Sequence, residues 1–328
     1  MIPLEIPREL VNTIWYMCLY SLMATPLTLS YRTSRVLNFA HGIYITVGAY
    51  VPVLISRGLN ISLSPVIAIL ASFSVGAILA MVSHLLVFSP LIRRRATPVT
   101  LMIASMGLWI FTKYALYAII SVLQKAWMTP LTYTNPNIDV PYSILFMGVD
   151  INARFILTIL LAALVLTSLA LFLTKTKTGM AIRAIADNPE LAQLTGISRE
   201  KTLLITWAIS GGIAALGGFA WSIFAYVSPE TGDNLILQVF ACSVIGGLIS
   251  LPITLIGAAI ISSTENLLIV FLNRYFGVEL SFRPFLSFLI LLLTILIRPP
   301  AGAGGGLPYR YRFPRHIFRF LRRGEGNV

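Results

Sequence analysis

Asn38 and His41 are polar side chains three residues apart in an apolar stretch, Val36-Leu37-Asn38-Phe39-Ala40-His41-Gly42. That spacing puts both on one face of a helix, or presents them together at a break if Gly42 opens the backbone. Polar groups in an apolar medium must be paired or line a cavity. The pair therefore either holds a break in the chain or touches a passing solute. Glu265 poses the same choice, as a lone carboxylate inside an apolar run, flanked by Ser262, Ser263, Thr264 and Asn266. It either anchors hydrogen bonds within a bundle or meets a cationic group of a ligand.

A polar stretch further along, residues 178–197, carries the signals of a short capped helix. Asn188 suits the capping position, Pro189 the first helical position and Glu190 the positive helix start, while Gly196 can close the helix in the left-handed conformation. The pattern predicts about two turns, and a helix that short is marginal in water without a docking surface. Leu191 and Leu194, three apart, form its apolar face, which rests either on a separate protein or on the chain's own body.

Other chemistries lack their residues. The Gly-rich stretch 301–306 has no Lys, Ser or Thr and follows a Pro pair, so it is no phosphate loop. His41, His84 and His316 have no ligand spacing, and no two carboxylates share an apolar run. We therefore expect no catalytic residue, no metal and no cofactor. Cys18 and Cys242 lie in apolar runs outside any C-x-x-C pattern and read as buried thiols.

The elements that position these residues follow from composition. The chain has 328 residues, 57% hydrophobic and 11% charged, against roughly a quarter charged in a soluble domain. A water-soluble globule is excluded. Apolar runs long enough to cross a bilayer core of about 30 Å recur along the chain, which predicts an all-α polytopic membrane bundle of about 8–10 transmembrane helices, some broken. The spans are 10–31, 39–55, 61–92, 97–123, 151–174, 202–227, 235–249, 252–272 and 282–297. The first is too long for a signal-peptide core. As one helix, residues 235–272 would be about 57 Å long, so the chain must turn back, at Gly246-Gly247 and Leu251-Pro252. Ser210, Ala214 and Gly218, with Gly211 and Ala215, recur at four-residue spacing and let helices approach closely.

Of the 24 Lys and Arg, 17 fall on the side holding Arg32, Arg35, the run 93–95, Arg183 and the C-terminal arginines. By the positive-inside rule that side is cytoplasmic, which puts the N-terminus outside and the C-terminus inside. Lys113 is left within a span. Two connections exceed a turn, the cytoplasmic 175–201 and the external 124–150. The tail 309–323 interleaves six arginines with Tyr, Phe and Leu, a composition suited to the anionic inner leaflet rather than to nucleic acid.

Four segments in order, VLNFAHG…GAY at 36–50, TKTGMAIRAIADNPELAQLTGIS at 176–198, SVIGG at 243–247 and IRP at 297–299, resemble the ABC-transporter permeases of the branched-chain amino acid (LivH-like) group. The resemblance spans roughly residues 10–300. Within the loop, Glu190-Leu191-Ala192 with Gly196 is similar to the E-A-A-x-x-x-G signature by which importer permeases meet their ATPase. The I-x-L-P continuation is missing after Gly196. Leu248 and Ile249 stand where the group often has Gly and Ser, and Arg32 and Arg35 occupy an approach that is usually apolar or glycine-bearing.

The resemblance implies a permease subunit of an ATP-driven importer for branched-chain or other hydrophobic amino acids, or else for urea or amides. It implies a transmembrane domain over 1–300, with a coupling loop at 175–201, and a basic tail over 301–328. Arg183, Asp187, Glu190, Leu191, Ala192, Leu194 and Gly196 would meet the ATPase. Asn38, His41, Gly42 and Glu265 would border the translocation pathway, with Gly246, Gly247 and Pro252 as a hinge. The implied partners are ABC ATP-binding subunits, an extracytoplasmic substrate-binding protein, membrane lipid, and a second permease that is either identical or a paralogue. ATP hydrolysis would belong to separate chains, so this one would not be an enzyme. An ion-coupled secondary transporter is the alternative, and it would need coupling carboxylates within the spans, where only Glu265 is visible. Both the first two spans and the folded-back pair interrupt apolar helix with small and polar residues, as inverted-repeat transporters do at their binding sites.

Overall fold

The structure is a computed structural model that describes residues 6–60, 63–134, 136, 143–146 and 149–297. The tail 301–328 and the Arg-Pro pair after Ile297 lie outside the described residues. In chain order the helices are α1 (Ile6–Ser34), α2 (His41–Val53), α3 (Pro65–Ser83), α4 (Ser89–Arg93), α5 (Pro98–Trp127), α6 (Ala153–Lys175) and α7 (Lys177–Asp187). There follow α8 (Pro189–Leu194), α9 (Arg199–Ser222), α10 (Thr231–Ile245), α11 (Leu251–Ser263), α12 (Ile269–Phe276) and α13 (Arg283–Ile297). Wide π turns prolong α2 through Leu54–Gly58, join α3 to α4 through His84–Phe88, and join α11 to α12 through Thr264–Leu268.

The protein is a helical, multi-pass membrane protein. Among the described residues, six segments are long and apolar enough to cross a bilayer: Pro65–Arg93, Pro98–Trp127, Arg154–Lys175, Arg199–Ser222, Leu251–Phe276 and Leu280–Ile297. The other three expected spans are α1, α2 and α10. α2 and α10 are short, and α1 is the least apolar because it lies inside the bundle, where hydroxyl groups can find partners. On α1, Ser21, Thr25, Thr28, Ser30 and Thr33 are all buried, beside Leu19, Leu22, Met23 and Leu27. α10 has 15 residues, about 22 Å, and falls short of the hydrocarbon core by itself, whereas the 13 residues of α2 are prolonged by the 5 of its π turn.

α9 is the central post, packed on α1, α2 and α3. Its small residues do what their spacing predicts. A Cβ on Gly48 of α2 would overlap the Ala215 backbone, and Gly76 of α3 meets Gly211 and Ala215 as closely. Such contacts bring backbones together where larger side chains would hold them apart. By contrast, α3, α5 and α13 turn Ile67, Leu70, Ile110, Phe111, Leu292 and Leu296 outward, as helices facing lipid or another subunit must.

Two features depart from the sequence reading. The connection between α5 and α6 contains an antiparallel hairpin, β1 (Ser143–Phe146) paired with β2 (Val149–Asn152). The connection 175–201 holds two helices rather than one. α7 was missed because its apolar positions, with Ile182, Ile185 and Ala186 buried against the bundle, alternate with charges in a segment too polar to read as a span.

Candidate functional site

The first break forms because α1 ends in a residue of left-handed conformation. Arg35 has φ +57° and donates its amide to the Tyr31 carbonyl at 2.7 Å. The chain then runs non-helically to α2. The Asn38 side chain accepts the Ala40 amide at 3.0 Å, and its backbone carbonyl accepts the His41 amide at 3.3 Å. His41 reaches across to donate from Nε2 to the Met23 carbonyl of α1, 2.9 Å away. That bond fixes the tautomer with the proton on Nε2. Both side chains are buried to 1% exposure, so in this conformation they hold the break from inside.

α2 starts beside the start of α10. Gly42 and Gly232 pack backbone against backbone, and the Thr46 hydroxyl joins the two helices, donating to the Gly42 carbonyl at 3.1 Å and accepting the Gly232 amide at 2.9 Å. The two helices thus begin at one level. Their amide-rich ends face the interior, an arrangement suited to a solute path.

At the other end of α10 the chain turns back where the sequence required. Gly246 ends the helix, Gly247 (φ +64°) and Leu248 (φ +58°) reverse the chain, and Pro252 falls in the first turn of α11, capped by Ser250. This turn and Arg183 of α7 share the lining of a cavity of about 390 Å³, with Arg32 and Thr33 of α1 and Leu173 of α6.

Glu265 is the hydrogen-bond hub of the opposite half. It sits in the π turn between α11 and α12 and is 3% exposed. One carboxylate oxygen accepts from Tyr20 of α1 and the other from Ser287 of α13. Asn266 donates to the Ser262 carbonyl at 2.9 Å, a bond that caps a backbone group freed by the π turn.

The loop residues form the helix that the caps foretold. The Asn188 side chain accepts the amides of Glu190 (3.1 Å) and Leu191 (3.0 Å), and Pro189 takes the first helical position. At the other end, Gly196 (φ +87°) donates to Gln193 and Ile197 donates to Ala192, the bonding of a Schellman close. Ala192 is buried against the bundle, whereas Leu191 is 59% and Leu194 85% exposed. Glu190 and Arg183 are exposed on the same surface. Asp187 is bridged to Arg32 of α1 at 3.0 Å, and Arg93 holds Glu200 of α9 with two bonds of 2.9 Å. These pairs gather the ends of α1, α4, α7 and α9 at one end of the bundle.

Sequence reading missed one charged group. Lys113 of α5 pairs with Asp233 at 2.6 Å and with Glu230 at 3.9 Å. Glu265 is therefore not the lone carboxylate within the spans. The signal was the intramembrane Lys113 itself, which demands a partner. The expected span began at residue 235, two residues too late to include Asp233 in the first turn of α10. Among the described residues, no group of three His, Cys, Asp or Glu could hold a metal ion.

A multi-pass helical bundle with two buried helices packed start to start inside and a capped helix exposed at one end has the construction of a membrane transport permease. The family model of the branched-chain amino acid transport system permease component matches residues 9–297. The chain belongs to that family. It is 36% identical over 293 residues to the branched-chain amino acid transport permease protein LivH of Methanocaldococcus jannaschii, covering 88% of this chain and 90% of that one. It is 26% identical to the high-affinity branched-chain amino acid transport system permease protein BraD of Pseudomonas aeruginosa, covering 90% and 95%. The fructose import permease protein FruF of Bifidobacterium longum is also 26% identical, over 85% of this chain and 74% of its own.

Proposed function

We propose that this permease carries branched-chain or other hydrophobic amino acids inward across the cytoplasmic membrane, powered by ATP hydrolysed on separate ATP-binding subunits. The observation that carries the coupling is α8. Its ends are fixed by Asn188 and Gly196, its buried Ala192 seats it on the bundle, and its apolar Leu191 and Leu194 project away from the chain's own core. A two-turn helix held out with its apolar face bare is built to enter a cleft on a partner. Glu190 at its positive end supports the helix and offers a charge at the rim.

The end bearing α7 and α8 faces the cytoplasm, which puts the N-terminus outside. An extracytoplasmic binding protein delivers the amino acid to the opposite face, and a second permease completes the pathway. Closure of the ATPases on α8 moves the bundle between inward- and outward-open arrangements, flexing at Gly246, Gly247 and Pro252. Asn38, His41 and Gly42 border the route at the break before α2, and Glu265 borders it from the π turn between α11 and α12.

Mild detergent extraction of the tagged chain followed by mass spectrometry tests the assembly, and uptake of labelled leucine by the same cells tests the cargo. The proposal expects ATP-binding subunits and a second permease to copurify, with uptake lost when the ATPase is inactivated. A chain that copurifies alone and still transports with the ion gradient as its energy source would overturn it.

A further inference from the structure

Resting on the amino-acid reading above, we propose that Glu230 receives the ammonium group of the passing substrate, held in readiness by the Lys113–Asp233 ion pair. Lys113 is the sixteenth of the thirty residues of α5, a helix that otherwise turns Ile103, Ile110, Phe111 and Val122 outward. A charge at that depth must be paired or face a water-filled path. Its tight partner is Asp233, 2.6 Å away, whose second oxygen accepts the Trp109 indole N–H at 2.6 Å. Both members of this pair are 17% exposed. Glu230 stands farther off, at 3.9 Å, and is 48% exposed. One cation therefore serves two carboxylates, and the carboxylate left in surplus is the open one. Exposure of that surplus charge to lipid would be costly. It therefore faces a polar route, where an added cation completes the cluster.

A separate observation marks the route. Ser105, Trp109, Lys113, Tyr117 and Ser121 recur every four residues along α5 and so form one polar ridge that winds about 160° around an apolar helix. At its inner end Ser105 accepts the Phe39 amide at 3.1 Å, beside Asn38 in the break before α2. At its outer end Tyr117, Ser121, Gln124 and the cationic Lys125 line a cavity of about 200 Å³ with Thr132 and with Pro229, the residue next to Glu230. The ridge thus joins an outer cavity, the charged cluster and the break. Asp233 gains further support from its place in the first turn of α10, where the helix end favours negative charge.

The experiment uses the complete importer in nanodiscs, with Cys18 and Cys242 replaced and Ser121→Cys introduced as a reporter for a small water-soluble thiol reagent. Millimolar leucine should slow labelling, whereas 4-methylpentanoate, which has the same apolar body and carboxylate but no ammonium, should not. Glu230→Gln should remove the protection by leucine and lower leucine uptake about tenfold, the scale of a lost charge-assisted contact. Glu230→Asp should restore part of both. Because Glu230 is half-exposed, Glu230→Gln leaves the packed pair intact, and an unchanged melting temperature separates this effect from misfolding. Unchanged uptake and protection in Glu230→Gln would overturn the assignment. A wild-type complex that takes up no amino acid would instead overturn the function on which the assignment rests.

Discussion

The carbonyl of Gly42 and the α-carbon of Gly232 meet so closely that a methyl group on Gly232 would overlap the Gly42 oxygen. This contact joins the starts of two helices inside the bundle, and Thr46 locks it with two hydrogen bonds. Gly232→Ala should therefore force α10 away from α2 and destabilise the bundle by about 1–3 kcal/mol. Gly232→Val should cost more and abolish uptake. Thermal unfolding in detergent reads the difference, and melting temperatures equal to the wild type would show that the two helix starts do not pack as described.

Glu265 offers a comparison between two substitutions. Glu265→Gln keeps oxygen and nitrogen where Tyr20 and Ser287 can bond and should leave folding largely intact. Glu265→Leu strands both hydroxyls in the core, each at a cost of about 1–3 kcal/mol, and should lower the melting temperature clearly. Equal stability of all three proteins would mean that the carboxylate is not the hub joining α1, α13 and the π turn.

Asn38 and His41 are buried in this conformation, so their part in the pathway shows only when the bundle moves. With Cys18 and Cys242 replaced, cysteines at 38 and 41 should resist a small water-soluble thiol reagent at rest and react when ATP and substrate drive turnover. His41→Asn should slow transport by loosening α2 from the Met23 carbonyl, without altering which amino acids are carried. Protection in every nucleotide state would place both residues in permanently packed protein.

Asn188→Ala removes the acceptor for two amides at the start of α8 and should loosen that helix by about 1 kcal/mol. Hydrogen exchange should rise over residues 189–194 while the membrane helices stay protected. Transport should fall although the chain inserts normally, because a frayed α8 no longer transmits force. Exchange unchanged at Glu190 and Leu191 would show that the cap does not stabilise the helix.

What the sequence made legible was local. Asn188, Pro189 and Gly196 specify α8 because capping depends on neighbouring backbone groups, and the structure carries each of these bonds. The turn at Gly246-Gly247 was forced by length alone. Six of the nine expected spans fall on helices long and apolar enough to cross a bilayer, since lipid imposes apolar composition on whatever faces it. The other three coincide with α1, α2 and α10 inside the bundle. The partners of Glu265 were not legible, because Tyr20 and Ser287 are distant in sequence and nothing in an apolar run tells which hydroxyl faces inward. The same holds for Lys113 and Asp233, whose meeting depends on where α10 begins. α7 escaped notice because a helix that rests on the bundle surface needs neither a full apolar face nor a membrane span's length.

The most direct test of the account is substrate-stimulated ATP hydrolysis by the reconstituted importer carrying Glu190→Lys together with Gly196→Val. Lysine places a positive charge at the positive end of α8, and valine is strained at the left-handed position that closes it. The account predicts that the stimulated rate falls to the unstimulated level while the chain still inserts and assembles its membrane helices. A stimulated rate equal to that of the wild type would contradict the assignment of α8 as the element through which ATP drives this permease.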